Sequence, residues 1–353
     1  QEGFIAAILG DKTKTAVKVA STWGTASAAS TGDKYIGLIS HALNESVLSA
    51  KAVGSGSYLP AGFTRGNEKP SLTLTGDAHV NSAFGKVLSQ FMGTDTVGSE
   101  ITASQGDYKH TITWNDTRNA KYLSVAYESS SAKVHEFPTC AVRSINIRTP
   151  SVPGYMEFVA ELIANKLELS TAVNTNAVLA AATISDTEIL APAFDDDFWI
   201  DTQASTTLAS GDQLNILSYD LKLSQGMESA NEIKGTAGNG SPMITGPLEG
   251  ELTIVLKELA DHTWYDYWAA ETALKCRFTV EGSQIGSGSL KSLNCYIPRM
   301  QLIKAPKYDL QSDGMNNVTY TFSISKATSN PTGMSSTMPY FELVNQLSTS
   351  YLA

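Results

Sequence analysis

Three consecutive carboxylates, Asp195-Asp196-Asp197 inside AFDDDFWID, form the densest acidic cluster in the chain. Carboxylates bind a hard cation when they converge on it. Neighbouring residues of a strand point to opposite faces, so these three diverge; the competing reading is a solvated edge whose charges block strand pairing. A phosphate-binding loop needs a glycine upstream of Gly-Lys and a hydroxyl after it, yet Gly85-Lys86 has Val80 upstream and is followed by Val87. Neither GSGS at 54–57 nor GSGSL at 286–290 makes the GxSxG turn that presents a nucleophilic serine. His41, His79, His110, His135 and His262 are scattered, and Cys140, Cys276 and Cys295 are odd in number without CxxC spacing. Odd, unpaired cysteines fit a reducing compartment during assembly. The expectation is no catalytic residue, no metal site and no cofactor: the chain is not an enzyme.

The elements that would carry such residues say more. In VTYTFSIS, Val318, Tyr320, Phe322 and Ile324 alternate with Thr319, Thr321, Ser323 and Ser325. YDLKLS alternates in the same way: Tyr219, Leu221 and Leu223 against Asp220, Lys222 and Ser224. Period two with one apolar and one polar face describes antiparallel strands buried on one side and wet on the other. The wet face is small and polar, suited either to ordinary solvent or to the lining of a shared channel.

GELTIVLKELADHTWYDYWAAETA changes period halfway. Leu252, Ile254 and Leu256 read as a strand; Ala260, Trp264, Tyr267 and Trp268 then recur on one helix face. The aromatic stripe could line a ligand pocket, but as an apolar helix face it is read as core-directed. SLTLTGDAHVNSAFGKVLSQFMGT makes the same switch 180 residues earlier, with Leu72 and Leu74 followed by Val80, Phe84, Val87 and Leu88. Both copies follow a strand and about 25 residues rich in Gly, Ser and Pro, and both precede two more strands. Recurrence of one order at a near-constant offset is the mark of internal duplication. The chain of 353 residues accommodates two domains, 1–168 and 169–353.

Composition narrows the function. No stretch of about 20 apolar residues is present, as a membrane-spanning helix requires, and FIAAILG is too short and lacks the basic flank of a secretion signal. A net charge of −10 without clustered Lys and Arg argues against a protein that grips nucleic-acid phosphates.

The pattern resembles the tail tube (major tail) proteins of long-tailed bacteriophages, in the form with two tube domains in one chain. The resemblance rests on KVASTWGTASAAS at 18–30, on the loop at 46–70 ahead of SLTLTGD, on helix 80–92, and on their second copies, loop 226–250 and helix 258–270. It implies a mainly β fold with few helices: two tandem β-sandwich or barrel domains, each flanked by a helix and each giving four strands to a β-barrel ring shared between subunits. It implies homotrimers of pseudo-sixfold symmetry, stacked into a tube that conducts genome DNA during ejection. The partners it implies are other copies of the chain, the tape measure protein, the tail terminator and distal tail proteins, and DNA passing without tight binding, with no membrane. The location it implies is the virion tail, after assembly in the host cytoplasm. A tail terminator, a neck ring and a non-viral secreted β-module are the alternatives.

On this reading Glu157, Glu161, Asp220, Lys222, Ser224, Thr319, Thr321, Ser323 and Ser325 line the channel. Val80, Phe84, Val87, Leu88, Trp264, Tyr267 and Trp268 form core-directed helix faces, with Trp264 and Trp268 mostly buried. Loops 46–70 and 226–250, the N-terminal arm 1–30 and the C-terminal arm 327–353 are expected to contact the next ring.

Overall fold

The computed structural model describes residues 14–43, 47–50, 62–65, 69–79, 83–116, 121–130, 133–149, 154–169, 173–184, 188, 190, 197–229, 239–256, 262–305, 307–308 and 317–353. The first half runs β1 (Thr15–Ala20), β2 (Leu38–Ala42), β3 (Val47–Ala50), β4 (Gly62–Arg65), β5 (Ser71–Asp77), α1 (Ala83–Met92), β6 (Thr96–Glu100), β7 (Tyr108–Thr113), β8 (Tyr122–Ser130), β9 (Lys133–Thr149), β10 (Glu157–Ala164), β11 (Glu168–Leu169) and α2 (Asn176–Ala181). The second runs β12 (Phe198–Thr202), β13 (Ile216–Ser229), β14 (Pro242–Leu256), α3 (Thr263–Ala269), β15 (Leu274–Gln284), β16 (Leu290–Leu302), β17 (Lys307–Tyr308), β18 (Val318–Ile324) and β19 (Tyr340–Asn345).

The fold is mainly β. Among the described residues seventeen strands join in one antiparallel sheet that does not close on itself, and β3 and β4 pair separately. The pairings β1·β8, β8·β9, β9·β10, β10·β5 and β5·β2 recur as β12·β15, β15·β16, β16·β18, β18·β14 and β14·β13. Even the irregularities recur. The β8·β9 ladder skips a residue of β9 between Leu123↔Cys140 and Val125↔Phe137. The β15·β16 ladder does the same between Leu274↔Met300 and Cys276↔Ile297. Such bulges add local twist, so both hairpins bend at one equivalent rung.

Two strand contacts stitch the halves. β9 pairs with β13 beyond its contact with β8, and β19 lies between β16 and β7. One hydrophobic cluster accordingly runs from Val17 and α1 through Ile145, Leu221, Phe278 and Phe322 to Tyr351.

Several segments differ from their sequence reading. Helix 80–92 is seen as Ala83–Met92 and helix 258–270 as Thr263–Ala269; residues 80–82 and 258–261 lie outside the described residues. Segment 226–250 is mostly strand in its described parts, with 239–241 irregular. Residues 226–229 and 242–250 continue β13 and β14 as the arms of a long hairpin, and 230–238 lie outside the described residues. Its glycines serve the crossing of two strands: the register shifts between Gln225 and Met227, where a Cβ on Gly226 would stand 3.0 Å from the backbone of Gly246. Of loop 46–70, residues 47–50 and 62–65 pair as β3·β4, 69–70 are described, and the rest lies outside. The arm 327–353 is built into the fold, because Tyr340, Phe341, Leu343 and Val344 are buried when β19 pairs on both sides. Of the arm 1–30, Thr15–Ala20 form β1 against β8, while 1–13 lie outside the described residues.

Candidate functional site: the polar face of the sheet

Side chains directly opposed in an antiparallel ladder share a face, so the registers define which residues stand together. Across β2, β5, β10, β9, β13, β14 and β18 the apolar positions, among them Leu74, Ala160, Ile145, Leu223 and Phe322, face the core and are buried. From β5 to β18 the opposite face is polar along continuous rows, with Val159 the apolar member of one of them, while β2 brings the exposed Leu38 opposite Thr75. One row reads Thr73, Glu161, Ser144, Ser224 and Glu249. The next reads Thr75, Val159, Asn146, Lys222, Glu251 and Ser323. A third reads Asp77, Glu157, Arg148, Asp220, Thr253 and Thr321.

The structure thus brings Glu157, Glu161, Asp220, Lys222, Ser224, Thr321 and Ser323 together on one face, although they come from strands far apart in sequence. Thr319 follows at the rung Val255↔Thr319 and is exposed. Ser325 lies beyond β18, exposed, its N–H donating to the Arg299 carbonyl at 3.0 Å. The sequence reading missed Glu249, Glu251, Arg148, Asn146 and Thr253. The alternation in GELTIVL carried the signal for Glu251 and Thr253, and SINIR alternates Asn146 and Arg148 against the buried Ile145 and Ile147 in the same way.

The face leans acidic: Glu157, Glu161, Asp220, Glu249 and Glu251 face Arg148 and Lys222. Arg148 is itself engaged, its Nη2 3.0 Å and Nε 3.1 Å from Glu157 Oε2. A phosphate arriving at this surface meets one paired guanidinium, one exposed lysine and several carboxylates.

The two helices back the core side. In α1, Phe84, Val87 and Leu88 are fully buried, joined by Phe91 and Met92. Lys86 turns aside, its Nζ 2.6 Å from Asp33 Oδ1 and 2.7 Å from the Gly32 carbonyl. Burial raises the Asp33 carboxyl, but Lys86, Ser30 and Lys18 outweigh it and hold the group below its ordinary range. Val80 lies outside the described residues. In α3, Trp264, Tyr267 and Trp268 are half-buried against the core, with the Trp264 ring 5.0 Å from Tyr320 and 6.0 Å from Phe322. Trp264 and Trp268 are thus less buried in the chain than expected. Tyr351 covers α1 from outside, and among the described residues α3 has no matching cover: Tyr265 is 47% exposed. Trp268 borders a cleft of about 620 Å³ with Gln301, Ser323 and Ser325.

Of the triple aspartate only Asp197 is described; its Oδ1 accepts from Gln213 Nε2 at 2.8 Å. Among the described residues no three His, Cys, Asp or Glu side chains gather as a metal site. Cys140, Cys276 and Cys295 are free and buried, and burial pushes each thiol up. Among the described residues no helix is long and apolar enough to cross a membrane.

No curated protein matches the chain. A family model described as phage tail tube protein matches residues 10–325, which spans the whole polar face and both helices that back it. A mainly antiparallel β chain with one buried and one polar face, matched over most of its length, belongs to the phage tail tube family: it is a structural tail tube protein of the virion.

Proposed function

We propose that the chain polymerises as stacked homotrimeric rings into the tail tube, and that genome DNA is ejected through the lumen against the polar face. Residues 1–168 and 169–353 act as two tandem tube domains, so that three chains present six domains around the channel. The tape measure protein occupies the lumen during assembly in the host cytoplasm, and terminator and distal tail proteins close the two ends. The lining comprises Glu157, Glu161, Asp220, Lys222, Ser224, Thr319, Thr321 and Ser323, with Ser325 at its margin.

The observation that supports this reading is the mostly polar, acid-leaning face that runs over six strands, β5, β10, β9, β13, β14 and β18. DNA that must move cannot be held at each ring. Every Lys or Arg bound to a phosphate adds a salt-dependent binding term, and a periodic array of them would trap the duplex. Carboxylates and hydroxyls present no such wells, and the excess of carboxylates repels the backbone from all sides.

Electron microscopy of the purified protein tests it. Hollow tubes or rings with a central hole, and a trimer as the smallest ring in native mass spectrometry, are the expected results. Discrete monomers at every concentration would sink the tube reading, and a hexamer would sink the tandem arrangement.

A further inference from the structure

The edges of the sheet repeat the logic of its middle. Within the chain, β13 covers the outer edge of β9, with Leu221 opposite Ile147 and Lys222 opposite Asn146. The recurring pairings identify the counterparts of both strands. Leu221 opposes Leu252 as His41 opposes Leu72, so β2 stands where β13 does. Asn146 opposes Val159 as Lys307 opposes Thr319, so β17 stands where the second half of β9 does. Yet β2 pairs only with β5 and β17 only with β18 among the described residues. Both edges carry apolar groups into solvent: Leu38 is 72% exposed on β2, and Ile303, just ahead of β17, is 47% exposed. Exposed unpaired edges with apolar side chains are templates for another strand.

A second feature lies beside the same seam. Asn239, in the connection between β13 and β14, caps the end of β10. It exchanges hydrogen bonds of 2.9 Å with Asn165 and accepts from Trp23 Nε1 at 2.9 Å. The position after β18 that matches Asn165 is Ser325, and there the cleft of about 620 Å³ lies open. The segment matching the outer β13–β14 hairpin is the β3–β4 hairpin, whose rung Val47↔Arg65 parallels Met227↔Ile244 within one residue.

We infer that a second copy of this chain fills both gaps. β2 of one copy pairs antiparallel with β17 of the next, His41 opposite Tyr308 and Ala42 opposite Lys307, and the β3–β4 hairpin lies over the cleft beside Ser325. The seam between copies is then the seam within the chain, used again, and the sheet continues from subunit to subunit with its polar face on one side. The inference rests on the tube reading and specifies its partner surface and register.

The test is oxidative crosslinking of the full-length Ala42→Cys/Lys307→Cys variant, against Ala42→Cys/Lys304→Cys, which is displaced by about 10 Å along the strand. Antiparallel partners lie within disulfide reach, and the three native cysteines are buried. At least tenfold more covalent ladder from the first pair is expected. Equal yields, or tubes that form without crosslinks, overturn the register and leave the tube reading standing; absence of any self-association overturns both. Should the variants misfold, amide exchange in the unmodified protein decides: residues 38–42 are expected to slow at least tenfold on assembly, and unchanged exchange overturns the seam. Ser325→Trp, which fills the cleft, should lower the crosslink yield in the Ala42→Cys/Lys307→Cys background; an unchanged yield removes the hairpin from the seam.

Discussion

The ring of Tyr351 lies against Gly85 of α1, so close that a Cβ on Gly85 would overlap it. The Tyr351 hydroxyl bonds Asn345, and its backbone N–H donates to Asp95 Oδ2 at 2.6 Å. The last strand and the first helix are thereby locked together, and α1 gains a cover that α3 lacks among the described residues.

Gly85→Ala should therefore destabilise the chain, although alanine favours helix. Overpacking of this kind costs about 1–3 kcal/mol, and the helix gain of about 1 kcal/mol offsets part of it. Urea unfolding checks it. In a Tyr351→Ala background the same substitution should become neutral or stabilising, because the overlapping ring is gone.

Phe84→Ala and Trp264→Ala separate the two helices. Phe84 is fully buried, and its truncation should cost about 3–5 kcal/mol. Trp264 is half-buried in the isolated chain, so its truncation should cost less there. Chemical denaturation of unassembled protein gives both values, and an equal loss would mean that α3 is as deeply packed as α1.

Glu161→Lys and Asp220→Lys alter the polar face without touching the core. Positions of this kind usually change stability by less than about 0.5 kcal/mol, so assembly should survive. Each added lysine that reaches a phosphate should steepen the log–log salt dependence of DNA retention by about 0.9. Retention of duplex DNA by assembled tubes across a salt series reads this directly. A face that does not meet DNA would show no change.

Acid should loosen the junction between loop 101–107 and the turn at 285–289. Burial raises the Asp107 carboxyl, but N–H donors from Ser289 at 2.9 Å and Thr102 at 2.8 Å outweigh it and hold the group well below its ordinary range. A carboxylate depressed in the folded state stabilises above its unfolded pKa of about 4, and that stability is lost as pH falls toward the folded value. The urea midpoint should drop between pH 5 and pH 3, and Asp107→Asn should flatten that drop while lowering the midpoint at pH 7.

The sequence by itself determined the strands, their two faces and the repeated order. VTYTFSIS and YDLKLS alternate at period two, and a one-residue slip would expose Phe322 and Leu221, so burial alone sets which face is polar. It also determined the absence of a recognisable catalytic motif and the resemblance to tail tube proteins. What it left open depends on contacts between residues far apart. Asn146 and Arg148 alternate with Ile145 and Ile147 in SINIR, but which strands flank them is decided by β9 pairing with β10 on one side and β13 on the other; no local period encodes a partner some 75 residues away. Glycines at 226 and 246 look the same in a loop as in a strand crossing, and only the second backbone distinguishes them. The tail after Ala327 reads as a polar arm, yet it becomes a central strand because β16 and β7 both leave an edge for it. Half-burial of Trp264 and Trp268 follows from the same cause: a helix face is apolar by sequence, and how deeply it sinks depends on what the rest of the chain lays over it.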